Sequence, residues 1–265
     1  MQAYGAHMTQ RPVALITLAS GYVGPPLARL LAGSGHDLVL HLPGTDTSTM
    51  VADSDVTALL ADLAAAGTAV EVISDVDLRT AEGNQAVVDA AINRFGRLDA
   101  ACFVTGSIIT GTFLGSTLAQ WEKLKSVNLD MVFHALQAAL PPMVAAGRGQ
   151  IIVFTSATGA RPEPMVSLYG ATRAGANALV RAVGLEHAKY GVTVNSIGTN
   201  YMDFPGFREA TGADDPQRRA AIEAQVPMRR LGTMDELAEF TAVLLDGRSR
   251  FQTGQFFSYS GGWST

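Results

Sequence analysis

At 265 residues, with 48% apolar and 16% charged side chains, the chain can build a sizeable core and does not have the composition of a disordered segment. A formal net charge of −5 without a basic block excludes the electrostatic footprint of a nucleic-acid binder. Cys102, the one cysteine, excludes an internal disulfide and a thiolate metal cluster, and the five histidines show no HExxH spacing. No apolar run reads as a membrane span and no charged-then-apolar leader opens the chain, so a soluble, reducing, cytoplasmic setting is expected.

Residues 1–11 are polar and unpatterned and read as a flexible N-terminal tail, leaving 12–265 as one domain. Val13–Ala19 is a short continuous apolar run, the pattern of a buried strand. A turn at 20–24 follows, and Pro25 and Pro26 suit the first turn of a helix that runs to Gly33. Asp37–Leu40 is a second strand, residues 42–53 a Pro/Gly/Thr/Ser/Asp-rich loop, and Val56–Ala66 a helix. Ala69–Ile73, Leu98–Thr105, Gln150–Thr155, Val192–Ile197 and Gln255–Tyr259 complete the predicted strands. Between them lie helices at Ala81–Phe95, Leu118–Ala146 (with a bend expected at Pro141-Pro142), Leu168–Tyr190, Arg218–Gln225 and Asp235–Leu245. The stretch 198–217 is expected to be irregular. Alternating strands and helices predict an α/β, single-domain, Rossmann-like three-layer fold: a parallel seven-stranded sheet with helices on both faces, ordered 3-2-1-4-5-6-7.

The chemistry concentrates after the fifth strand. Ile151–Phe154 is very apolar and delivers Ser156; Tyr169 and Arg173 then sit four apart, on one face of the following helix. A hydroxyl, a phenol and a permanent cation would meet at the carboxyl edge of the sheet, where open α/β folds bind ligands.

Ser156, Tyr169 thirteen residues on, a cation four residues later, Asn128, Thr253-Gly254-Gln255 and Gly261-Gly262 together resemble the short-chain dehydrogenase/reductase superfamily over residues 12–263. The cofactor end departs from that pattern. The superfamily's TGxxxGxG turn reads Thr17-Leu18-Ala19-Ser20-Gly21-Tyr22-Val23-Gly24, with Leu18 and Tyr22 in two glycine places. Those glycines let backbone approach a pyrophosphate at a helix N-terminus. The ribose-reading position is His41-Leu42-Pro43, the NNAG motif is Phe103-Val104-Thr105-Gly106, the Pro-Gly after strand six is Thr199-Asn200, and the cation is Arg173 rather than lysine.

This combination is similar to the halohydrin dehalogenases, a branch with a Ser-Tyr-Arg triad and a TxxxxF/YxG turn, and in wording to their G-type subgroup. The resemblance implies a cofactor-independent carbon–halide lyase that closes vicinal haloalcohols to epoxides and opens epoxides, including bulky or cyclic ones, with halide, azide, cyanide or nitrite. It implies Tyr169 as base and acid, Arg173 as the fixed cation that favours the phenolate, and Ser156 as the donor to the substrate oxygen. It implies an anion pocket in the nicotinamide place, from Tyr22, Thr199, Asn200, Tyr201 and Met202, with Phe103, Phe204 and Phe207 on the substrate side. No cofactor or metal is expected, loop 42–53 would cover the space of the missing adenosine, and the long helices would pair in a homotetramer.

Plainer readings stand beside these. The trio is also what an ordinary helix start and a surface arginine would look like, and Tyr22 could simply pack. Cys102 reads as a buried structural thiol, Asn128 as a backbone bridge and Trp263 as packing or subunit contact. Tyr201, Phe204 and Phe207 divide evenly between pocket and core, and Arg229-Arg230 with Glu236 and Glu239 read as solvated faces. The rival functions are an NAD(P)-dependent short-chain carbonyl reductase and a non-enzymatic small-molecule-binding protein on the same fold.

Overall fold

A computed structural model describes residues 10–43 and 56–264. The strands are β1 (Val13–Ile16), β2 (Asp37–His41), β3 (Val70–Ile73), β4 (Ala100–Phe103), β5 (Gly149–Ser156), β6 (Val192–Thr199) and β7 (Phe256–Tyr259). The α-helices are α1 (Gly24–Gly33), α2 (Val56–Ala65), α3 (Ala81–Phe95), α4 (Leu118–Lys125), α5 (Met131–Ala146), α6 (Ser167–His187), α7 (Pro205–Thr211), α8 (Pro216–Glu223) and α9 (Met234–Leu245). All strand pairs are parallel, in the order β3-β2-β1-β4-β5-β6-β7, which is the expected order.

The central strands are buried on both faces, so they read as continuous apolar runs rather than alternating ones. One face is closed by α3, α5 and α6 through Val87, Ala91, Val132, Leu136, Ala176 and Val180. The other is closed by α1, α2 and α9 through Leu27, Leu31, Leu59, Leu63, Leu237 and Leu245. Local signals set the helix ends. Thr80 Oγ1 accepts from Gly83 N, and Gly96 closes α3 at φ 73°. Thr117 with Gln120 and Thr233 with Glu236 make capping boxes for α4 and α9.

The long apolar run 118–146 is, by length and composition, sufficient to cross a membrane, which departs from the expectation that no such run exists. Here it is a broken core helix, with Val132, Ala135, Leu136 and Met143 in the core. α5 runs through Pro141-Pro142, and the α-helical hydrogen bonding is interrupted instead by a π turn at Ser126–Asp130 that places Asn128 fully inside the protein. The stretch 198–217 is more regular than expected. β6 runs on to Thr199 and α7 starts at Pro205, because Asp203 receives Arg208 at 2.8 Å and Arg219 at 2.7 Å and ties α7 to α8.

Of the expected tail, residues 10 and 11 are described. Arg11 donates to the carbonyls of Gly35, His36 and Gly67 at 2.9–3.1 Å, anchoring the entry to β1. Residues 1–9 and, within the expected 42–53 loop, residues 44–53 lie outside the described residues.

Candidate functional site

Ser156 is the last residue of β5 and opposes Thr199, the last of β6. Its Oγ accepts from Thr158 N at 3.2 Å and faces the Thr199 carbonyl at 3.5 Å. α6 carries Tyr169 and Arg173 one turn apart, with the guanidinium carbon 5.4 Å from the centre of the Tyr169 ring. The Tyr169 hydroxyl has no protein hydrogen-bond partner among the described residues, so it is free to meet a ligand.

Arg173 is 2% exposed. Its Nη1 donates to Thr105 Oγ1 at 3.0 Å and its Nη2 to the Thr105 carbonyl at 2.5 Å, while Nε has no partner among the described residues. No carboxylate among the described residues pairs with it. A buried cation without a counter-ion is costly. Asn128 supports the same corner. It accepts from Ser107 N at 3.0 Å and donates to Ser107 O and Thr172 Oγ1, bridging the loop after β4 to α6.

The first turn is the second half of the site. Leu18 and Tyr22 each keep a left-handed φ of 51°, so the glycine conformation persists without glycine. Gly24 is retained where a Cβ would stand 2.5 Å from the Ala19 carbonyl oxygen. Tyr22 is half-buried, packs edge-on against Phe154 and Phe204, and donates its hydroxyl to Thr199 Oγ1 at 2.7 Å. Burial pushes this phenol above its ordinary range. Leu18 N donates to Nδ1 of His41, whose own pKa burial lowers to about 4, so the imidazole is neutral and braces the turn.

The remaining expected residues divide. Thr199 joins Tyr22 to the Ser156 strand end. Asn200, Tyr201 and Met202 instead line a cavity of about 330 Å³ with Arg230, Glu236 and Tyr259, and none of Ser156, Tyr169 or Arg173 lines it. The Tyr201 N–H, expected to face an anion, donates to Asn200 Oδ1 at 2.9 Å. Met202 is 3% exposed and pairs with Gly232. Phe103, expected on the substrate side, is 1% exposed in the β4 core, because its side chain points into the layer under α5. Phe204 and Phe207 are half-buried and touch each other, Tyr22 and Tyr201. Trp263 packs on Tyr201 and under the Arg161 guanidinium. Thr105 escaped the sequence reading; the signal was a hydroxyl residue directly before a glycine in the place of the NNAG motif.

For a nicotinamide dinucleotide these residues are a poor cradle. Backbone must approach the pyrophosphate at the α1 N-terminus, and there the Leu18 and Tyr22 side chains stand where glycines leave room. Tyr22 crosses from that turn to Thr199, and His41 is neither the carboxylate nor the cation that reads a ribose.

Kinship adds the family. A family model described as enoyl-(acyl carrier protein) reductase matches residues 23–264. The chain is 29% identical over 260 residues to the D-beta-hydroxybutyrate dehydrogenase of Rhizobium meliloti, covering 95% of this chain and 98% of that one. It is 30% identical over 252 residues to a 2,5-dichloro-2,5-cyclohexadiene-1,4-diol dehydrogenase of Sphingobium indicum, covering 95% and 96%. The crystal structure of a levodione reductase superposes with a TM-score of 0.83 at 26% identity, covering 95% and 96%. These relatives are dehydrogenases and reductases, and none is a dehalogenase. The expectation of a cofactor-independent carbon–halide lyase, with its haloalcohol and epoxide chemistry, is corrected accordingly. It leaned on a few substituted positions, whereas the likeness to oxidoreductases extends along nearly the whole chain. The chain belongs to the short-chain dehydrogenase/reductase superfamily.

Proposed function

We propose that the protein is an oxidoreductase of small hydroxyl- or carbonyl-bearing molecules in which Tyr169 passes the proton to and from the substrate oxygen. The observation that carries this is the pairing of Tyr169 with the buried Arg173, beside which no carboxylate stands among the described residues. The guanidinium beside the ring is a fixed positive charge next to the oxygen that would meet the substrate. Ser156 would hold the same substrate oxygen and orient it. The relatives support hydroxy acids, cyclic diols and cyclic diketones as substrate classes. A nicotinamide dinucleotide would supply the hydride in such a reaction. Because the first turn does not fit one as it stands, the roles derived for this chain's residues are confined to the proton. The finer resemblance, to the halohydrin dehalogenase branch, rests on residue pattern at the first turn and at Arg173 and has no counterpart among the relatives named above.

The test is turnover of a panel of these compounds with NADH, NADPH or their oxidised forms, followed by nicotinamide absorbance. Turnover by the unmutated chain that vanishes in Tyr169→Phe supports the reading. Absence of turnover in both the unmutated chain and Tyr22→Gly would remove it. A second copy of the chain is the proposed partner. The apolar groove between α5 and α6, lined by Phe133, Leu136, Leu140, Val144, Leu179 and Val183, is the face it would cover, and light scattering reads the outcome.

A further inference from the structure

We infer that Thr105 is a positioning residue: its hydroxyl and carbonyl hold the Arg173 guanidinium against Tyr169, and Gly106 leaves the space the guanidinium occupies. The inference rests on the proton-transfer role proposed for Tyr169. Arginine differs from an ammonium in shape as well as charge: it is a flat fork on a flexible stem, and its field at a neighbour depends on how the fork is held.

Here two fork nitrogens are both engaged by one residue. Thr105 Oγ1 accepts from Nη1 at 3.0 Å, and the Thr105 carbonyl accepts from Nη2 at 2.5 Å. The threonine is itself fixed. It is 2% exposed, and its hydroxyl proton goes to the Phe154 carbonyl of β5 at 3.0 Å, two residues before Ser156. The cation on α6 is thereby tied through the end of β4 to the strand that carries Ser156. Gly106 follows at φ +118°, and a Cβ there would stand 1.5 Å from Nη2 and 2.4 Å from Cζ of Arg173. A side chain at 106 and an arginine in this pose exclude each other.

Only the hydroxyl can be removed by substitution, so Thr105→Val and Thr105→Ser are the informative pair. Two readouts are needed. The first, independent of any reaction, is the NMR signal of the Arg173 guanidinium, assigned by its loss in Arg173→Lys. Resolved Nη resonances in the unmutated protein, collapsed in Thr105→Val and retained in Thr105→Ser, are expected. The second is turnover on whichever panel substrate the protein accepts, where Thr105→Val should lower kcat roughly tenfold with KM nearly unchanged, and Thr105→Ser should restore it. Should Thr105→Val fail to fold, Gly106→Ala perturbs the same fork from the other side and is read in the same way. A guanidinium whose Nη signals are already averaged in the unmutated protein, or are unchanged in Thr105→Val, overturns the inference. Loss of kcat in both Thr105→Val and Thr105→Ser also overturns it, as a merely structural threonine. If no panel substrate is turned over, the functional reading fails while the guanidinium signal still decides this one.

Discussion

The β1–α1 turn and the β5–α6 segment have changed in opposite ways relative to the superfamily pattern. At the first turn the residues differ but the backbone path is kept: Leu18 and Tyr22 hold φ 51° where glycine would sit without strain. Each such non-glycine position costs about 1 kcal/mol or more. The path persists because neighbours impose it, Gly24 against Ala19 on one side and His41 on the Leu18 amide on the other. At the second segment Ser156 and Tyr169 match the superfamily pattern, and Arg173, in the lysine place, donates to Thr105 in the space that Gly106 leaves. A scaffold can therefore hold its loop geometry while refilling the space above it, and hold a reactive group while rebuilding what supports it.

Removing the reactive group itself should have the largest effect. Tyr169→Phe should reduce turnover by about 10²–10⁴-fold while Tm stays within a degree or two, because the hydroxyl makes no hydrogen bond among the described residues. An unchanged rate would show that the retained half is only an ordinary helix start. Next, Gly106→Ala should destabilise the fold by about 3 kcal/mol, a Tm fall of roughly 10 °C by calorimetry, since its Cβ overlaps the guanidinium. A neutral outcome would mean that this support is slack.

The first turn is probed by acid. His41 has its pKa lowered to about 4 from 6.5, so the unfolded chain takes up the proton first. Its contribution is therefore fully present above about pH 6.5 and is lost as pH falls toward 4. Burial lowers His36 in the same direction. A Tm fall of roughly 5 °C between pH 7 and 5, flattened in His41→Asn, would match a contribution on the order of 2 kcal/mol. A fall that survives the substitution would move the acid sensitivity elsewhere. The smallest effect sharpens the comparison most: Tyr22→Gly should bind NADH or NADPH about tenfold more tightly than the unmutated chain, read by fluorescence titration. Equal affinities would show that the side chain at 22 does not obstruct the turn.

Much of this was legible in the residues. Alternating strand and helix patterns, together with the handedness of parallel connections, point to a parallel doubly wound sheet, and the order expected is the one observed. The convergence of Tyr169 and Arg173 followed from helical spacing alone. The helix starts expected at Ala81 and Leu118 are those of α3 and α4. What the chain determines by itself is whatever depends on neighbours a few residues apart or on the two periodicities of helix and strand.

Tertiary structure decided the rest, because partners far apart in the chain meet only through strand register and layer packing. Tyr22 finds Thr199 across 177 residues of sequence, and Arg173 finds Thr105 across 68. The same register turns Phe103 into core, buries Asn128 in a π turn, and turns Asn200–Met202 toward a different cavity. Local pattern named Ser156, Tyr169 and Arg173; only the packed sheet shows that Thr105, just past β4, meets the Arg173 guanidinium on α6.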